Sequence, residues 1–218
     1  MFGNHTARPI LLAACALLLA APPRFAFAEA KLPAESEVCR SAIRGSEARF
    51  DIPFGIMQAI SLAESGRWHK ETRSKFAWPW TVTARGKGEF YDSREDAIAA
   101  VKQLKREGVR NIDVGCMQIN LMHHPKAFSS LEEAFEPSVN ADYASALFAK
   151  LRKSNRSIMR AIAHYHSTTR KFNQPYTQKV IVLWNEERRR FYEEERLRKI
   201  EEWRRARAAR QGDRVAQR

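Results

Sequence analysis

Long apolar runs and cysteine are both scarce in this chain of 218 residues. It has three cysteines, no apolar run long enough for a conventional transmembrane helix, and neither internal repeats nor low-complexity blocks. The HExxH motif and the Cys/His spacing of zinc fingers are also missing, so His123, His124, His164 and His166 give little support to a metal site. We therefore expect one soluble domain with no metal and no cofactor.

Acidic residues are too few to balance the basic ones. Lys and Arg number 38 against 25 Asp and Glu, which gives a formal net charge of +13 and a pI near 10.0. A chain with this balance is attracted to polyanions, whether nucleic acids, anionic envelope polymers or lipid head groups.

Residues 1–28 have the pattern of a secretory signal peptide. Arg8 precedes the apolar run Ile10 to Ala21, and Ala26-Phe27-Ala28 offers the small residues that a signal peptidase reads. Leu12 to Cys15 resembles a lipobox, but the apolar run continues past Cys15, where a lipoprotein cysteine would normally end it. We predict export to the periplasm, which argues against nucleic acid as the working partner.

Removal of the signal leaves two cysteines, Cys39 and Cys116, in a compartment that permits disulfides. We predict a bridge between them; the alternative is two buried free thiols. A bridge would tie a helix near the start of the domain to the segment around Gly115.

An acidic residue interrupts an apolar row near the start of the domain. The row recurs at four-residue intervals, at Ile52, Ile56 and Ile60. Glu64 is its next member, in the last turn of the predicted helix and before Gly66, which suits a left-handed cap. Burial and the negative end of the helix dipole both disfavour the anion, so we expect a raised pKa for Glu64, as a general acid needs. The alternative is a glutamate that leans into solvent at a fraying helix end.

Periodicity predicts a mainly α-helical domain over residues 35–185. Helices are expected at about 36–49, 53–65, 94–107, 137–153, 157–166 and from 176 onwards, with a short turn at 131–135. The predicted N-caps are Ser36, Asp51, Ser93 and Ser157, and the core face of the 137–153 helix is expected at Val139, Tyr143, Ala146, Leu147 and Leu151. A small β-hairpin is expected between residues 76–83 and 89–91, after a loop over 67–75. Residues 112–120 are expected to form a buried connection.

The composition changes to Arg and Glu from Glu186 onwards. Opposite charges at helical spacing predict an exposed charged helix over residues 186–218 that frays into disorder by Gly212. The extension is either a solvated helix or a basic arm that contacts an anionic polymer or an envelope-spanning machine.

Three short motifs occur in a specific order. They are Glu64-Ser65-Gly66 at a helix end, Gly115-Cys116-Met117-Gln118-Ile119 in a buried connection, and Ala161 to His166 at the end of a later helix. This order resembles the soluble lytic transglycosylase (SLT) family, whose patterns are Glu-Ser, Gly-Leu-Met-Gln and Ala-Tyr-Asn. The resemblance covers roughly residues 35–184 and implies a lysozyme-like domain with a small β-hairpin and the charged helical extension.

The resemblance implies non-hydrolytic cleavage of the β-1,4 bond between N-acetylmuramic acid and N-acetylglucosamine in peptidoglycan, giving a 1,6-anhydromuramyl product. Glu64 would be the single catalytic acid and base. The implied substrate-binding residues are Ser65, Gly115, Met117, Gln118, Tyr165 and His166. Tyr165 would also hydrogen-bond Glu64 and orient it. The implied partner is the glycan strand, bound by a monomer.

Three features depart from the family patterns. His166 replaces the usual Asn, Cys116 replaces the usual Leu, and the segment between Glu64 and Gly115 is longer than in compact members. A hydrolysing muramidase and an inactive wall-binding assembly protein remain as alternatives. A hydrolase would use a second acid across the cleft, for which the sequence offers Asp92 and Asp113 without a comparable context. Possible sugar-stacking residues are Trp78, Trp80 and Tyr91, which are more often the core of a hairpin.

Overall fold

The computed structural model describes residues 33–216, and side chains to residue 211. The predicted signal sequence and Cys15 lie outside this range. The described chain is mostly helical, with two small antiparallel sheets. The helices are α1 (Glu35–Arg49), α2 (Ile56–Ser65), α3 (Arg94–Arg106), α4 (Leu131–Ala134), α5 (Pro137–Asn155), α6 (Ile158–His166) and α7 (Arg170–Ala216). The strands are β1 (Gly66–His69), β2 (Ser74–Ala77), β3 (Thr81–Ala84), β4 (Lys87–Phe90), β5 (Ile112–Val114) and β6 (Ile119–Asn120).

Helix α2 lies at the centre of the main core. Its apolar residues pack with α1, α5, α6 and the first half of α7, and Ile56 and Ile60 are fully buried there. A second apolar cluster joins α3 to the four-stranded sheet, whose order is β4-β3-β5-β6. Among residues 33–216, no helix combines the length and the apolar character needed to cross a bilayer.

The predicted disulfide is present between Cys39 on α1 and Cys116, at a sequence separation of 77. Both side chains are buried in the main core. A loop of this length predicts about 4 kcal/mol of stabilisation from the restricted unfolded chain.

The N-terminus of α2 is capped by a residue from another helix. Gly55 is the N-cap with φ +83°, and Asp51 makes no cap hydrogen bond, so the predicted Asp51 cap is wrong. The buried carboxylate of Glu47 on α1 accepts instead from the backbone N–H groups of Gly55, Met57 and Gln58, at 3.0, 2.7 and 3.4 Å. The negative charge therefore lies at the positive end of the helix dipole.

Two of the four predicted caps are confirmed. Ser93 accepts from the N–H of Asp96 at the start of α3, and Ser157 accepts from that of Arg160 at the start of α6. Ser36 lies inside α1, which has Ala34 at its cap position. Gly66 is extended, with φ −67°, rather than left-handed, and an added Cβ would lie 2.3 Å from the carbonyl oxygen of Leu62.

The sheet is larger than the predicted hairpin. Thr81–Ala84 pairs with Lys87–Phe90, which confirms the second half of the predicted hairpin strand. The first half of that strand is wrong, because Phe76 and Ala77 pair with residues 66–67 in the separate β1–β2 pair, where a loop was predicted over 67–75. Residues 112–120 are buried as predicted and also contribute β5 and β6, which the prediction missed.

Two helices differ from the prediction in ways that affect the site. The buried face of α5 is Asn140, Ala141, Ala144, Ser145 and Phe148, whereas Ala146 is exposed, so the predicted face is displaced. Helix α7 begins at Arg170 and continues to Ala216. The boundary predicted at residue 186 falls inside this helix, and the described chain is still helical at Gly212, where fraying was predicted.

Candidate active site

A cavity of about 530 Å³ lies where the end of α2 meets the sheet and α6. Glu64 is part of its wall, together with Asp113 from β5, Gln118 from the turn before β6, and Tyr165 and His166 from α6. The rest of the wall is largely amide and imidazole groups, from Asn111, Asn120, His123 and His124. Such groups can both donate and accept hydrogen bonds.

Two residues of α7 contact the end of α2. The Tyr176 hydroxyl donates to Glu64 Oε1 at 2.7 Å, and Tyr176 is buried. Lys179 Nζ donates to the carbonyl oxygen of Ala63 at 2.7 Å, one of the unpaired carbonyls of the last α2 turn. Helix α7 therefore both orients the carboxylate and places a positive charge near it.

Glu64 is only partly exposed, at the cavity wall. Burial raises the pKa of Glu64 to about 7, while the Tyr176 hydrogen bond and Lys179 lower it and the charge of Asp113 raises it. Desolvation is the largest of these effects. A carboxyl with this pKa exchanges its proton near neutral pH, which suits a group that acts first as an acid and then as a base.

Buried polar side chains hold the turn at residues 115–118 from the side that faces the core. Ser65 Oγ donates to the Cys116 carbonyl at 2.7 Å, and Asn140 Oδ1 accepts from the Met117 N–H at 2.9 Å. Gly115 has φ +82°, and a Cβ there would lie 2.6 Å from Asn140 Nδ2. Ser65, Gly115 and Met117 are thus beneath the cavity wall, so they hold the turn rather than contact a ligand.

Gln118 is held in the left-handed region, with φ +48°. Its Nε2 donates to the carbonyl oxygens of Thr81 and Gly115, both at 3.0 Å. Its buried Oε1 has no hydrogen-bond partner within the described chain and belongs to a residue of the cavity wall. The amide is therefore fixed by its donor end, and its buried oxygen is left without a partner.

The hydrogen bond predicted between Tyr165 and Glu64 is made by Tyr176 instead. The Tyr165 hydroxyl donates to the Met117 carbonyl at 3.1 Å, although its ring lines the same cavity. His166 stacks on Tyr176, with ring centroids 4.4 Å apart and an interplanar angle of 8°. Desolvation and Lys179 lower the pKa of His166, and Asp113 opposes them.

Asp113 is a second carboxyl in the same cavity. Its Oδ1 accepts from Asn120 Nδ2 at 2.7 Å. Burial raises the pKa of Asp113, while Asn120, His123 and His166 lower it. The cavity thus contains two acids in different settings, one bonded to a tyrosine and one to an amide.

Comparison with known protein families, curated proteins and solved structures found no match to this chain.

The aromatic residues considered for sugar stacking mostly form hairpin core. Trp78 is 5% exposed, donates from Nε1 to the Tyr91 carbonyl at 2.6 Å, and has the Arg67 guanidinium 4.3 Å from its ring centroid. Trp80 packs edge-on against Trp78, with centroids 5.7 Å apart. Neither tryptophan nor Tyr91 belongs to the wall of the cavity that contains Glu64.

Within residues 33–216, no group of three or more His, Cys, Asp or Glu side chains has a metal-binding arrangement. Sequence reasoning missed three residues that shape the site, namely Tyr176, Asn140 and Glu47. Tyr176 was expected only as the start of a helix, and no local pattern shows which residue of another element a buried Asn or Glu will contact.

Proposed function

We propose that this protein is a peptidoglycan lytic transglycosylase with a lysozyme-like fold. The observation that carries the proposal is Glu64, a carboxyl with a pKa of about 7 in a cavity rich in amide and imidazole groups. The resemblance of three motifs to the soluble lytic transglycosylase family supports it further, because Glu64, Gln118 and Tyr165 all line this cavity.

The proposed reaction uses Glu64 twice. Protonated Glu64 gives its proton to the glycosidic oxygen as the bond from that oxygen to muramyl C1 breaks. The carboxylate then takes the proton of the muramyl C6 hydroxyl while O6 bonds to C1, which closes the anhydro ring without water. The substrate's own 2-acetamido group supports the intermediate, and the proposal assigns the recognition of that group to the amide of Gln118, a residue of the cavity wall.

A hydrolytic muramidase is the second candidate, and Asp113 is the observation that favours it. Hydrolysis of a glycoside generally uses two carboxyl groups, one as acid and one as nucleophile or base. Asp113 is in the same cavity as Glu64 and is close enough to raise its pKa. The two candidates differ in their products: the muramidase leaves a free reducing end on the muramyl sugar, and the transglycosylase leaves a 1,6-anhydro end.

The proposed working site is the periplasm, where an excess of positive charge favours contact with the anionic wall. The exposed part of α7 is a proposed second contact, with an anionic polymer or an envelope-spanning machine. Every side chain from Glu201 to Gln211 is exposed, and Trp203 is 60% exposed with Arg207 over its ring. We propose that the protein acts as a monomer.

The test is mass spectrometry of muropeptides released from purified sacculi by the protein and by its Glu64→Gln variant. Anhydro-ended products from the wild type alone are expected. Reducing ends would favour the muramidase. Sacculus binding without release by either protein would refute both enzymes and favour a wall-binding assembly protein.

A further inference from the structure

The cavity at Glu64 is the first of three neighbouring cavities, which together we call the groove. It shares His124 with a cavity of about 290 Å³, and that cavity shares Lys105, Leu121 and Pro125 with a third of about 500 Å³. Cavities with common wall residues are adjacent, so the three follow one another around the segment from Leu121 to Pro125. The far cavity lies beside the end of α3.

The far cavity differs chemically from the one at Glu64. Its wall has two cations, Lys105 and Arg110, and apolar side chains including Val109, Leu121 and Met122. It has no carboxylate, no amide side chain and no aromatic ring. Within the described residues, neither Lys105 nor Arg110 forms an ion pair. The negative end of the α3 dipole, about half a charge, offsets only part of their positive charge.

This chemistry fits an acidic peptide better than more sugar. Sugars bind through amides, carboxylates and aromatic faces, which this wall lacks. A carboxylate pairs with Lys and Arg, and small methyl groups pack against valine, leucine and methionine. The peptide stems of peptidoglycan carry free carboxylates and alanine methyl groups, and they are attached to the muramyl sugar at which the proposed cut occurs.

We propose that the far end of the groove binds the acidic peptide stem of a glycan strand, with Lys105 and Arg110 pairing with its carboxylates. The inference rests on the proposed function, because it takes the strand to be the ligand at Glu64. It makes the protein selective for strands that still carry stems.

The experiment compares a Lys105→Gln/Arg110→Gln variant with the wild type on two substrates, glycan strands with stems and the same strands stripped by an amidase. With stems, we expect KM to rise roughly fivefold, since two exposed ion pairs are lost, and kcat to stay unchanged. Without stems, both proteins are expected to have the same KM. The matched control is Lys150→Gln/Lys153→Gln on α5, which removes the same charge from exposed positions outside the groove.

The same comparison is made by strand binding in the Glu64→Gln background, which separates the stem site from the chemistry. Stem-dependent binding that the groove variant loses would support the stem site even if no product of either kind were released. An equal loss on both substrates would refute it in favour of a sugar subsite. No loss on either, or an equal loss in the α5 control, would also refute it.

Discussion

Replacing Glu64 with Gln should inactivate the protein and also stabilise it above neutral pH. The folded-state pKa of Glu64 is about 7 against an ordinary 4.5, because burial disfavours the anion. The folded protein therefore holds a proton that the unfolded chain has released between these two values. Stability that depends on this proton is complete below pH 4.5 and is lost as the pH rises through 7.

The size of the effect follows from the difference between the two pKa values. At about 1.4 kcal/mol per pH unit, the anion costs on the order of 3 kcal/mol at pH 8. Gln has nearly the same shape, and its oxygen can still accept from Tyr176. Glu64→Gln should thus be more stable than the wild type by up to about 3 kcal/mol at pH 8 and nearly equal to it at pH 4.

The assay is urea unfolding of wild type and variant at intervals from pH 4 to pH 8.5, with sacculus cleavage measured on the same samples. Glu193→Gln, at an exposed position on α7, is the control and should give a difference that does not vary over this range. A Glu64→Gln variant whose stability difference is also constant with pH would refute the reasoning that burial strains the carboxylate.

Three further variants test the surroundings of Glu64. Asp113→Asn removes a charge that raises the pKa of Glu64, so the pH–activity profile should move to lower pH while the products keep their anhydro ends. The profile is measured as the loss of turbidity of sacculi. Complete inactivity would instead assign Asp113 a chemical role. Tyr176→Phe removes the hydroxyl that lowers the pKa of Glu64, so the pH–activity profile should move to higher pH. The free energy of unfolding should fall by about 1 kcal/mol. A profile that does not move would contradict the 2.7 Å hydrogen bond. Cys39→Ser/Cys116→Ser should lower the free energy of unfolding in urea by about 4 kcal/mol, and equal stability would show that the unfolded chain is not restricted by the bridge.

Local signals in the sequence predicted the features that depend on nearby residues. Ser93 and Ser157 cap the helices that follow them, and their partners are three residues away. Glu64 continues the row of Ile56 and Ile60, and this spacing was enough to predict its raised pKa, which burial causes in the structure. Such features can be predicted because a helix places residues three or four apart on one face.

Features that depend on the crossing of distant elements were not predictable in this way. Tyr165 and Tyr176 both lie on helix faces, and only the crossing of α7 over α2 decides which hydroxyl reaches Glu64. Asp51 stands at the expected cap position, yet Glu47 takes that role because α1 turns its carboxylate towards α2. Strand β1 was missed because its residues, Gly66 to His69, have no alternation of apolar and polar side chains, and its pairing with β2 forms the strand.

The single α7 helix fixes the distance between Glu64 and the exposed Trp203. Tyr176 contacts Glu64, and Trp203 stands on the exposed part of the same helix, about 40 Å further along at about 1.5 Å per residue. A partner that binds the helix at Trp203 would therefore hold Glu64 at that distance from itself. The helical residues between Tyr176 and Trp203 act as a spacer. Each residue added there would lengthen the spacer by about 1.5 Å and rotate the bound partner by about 100° relative to the cavity.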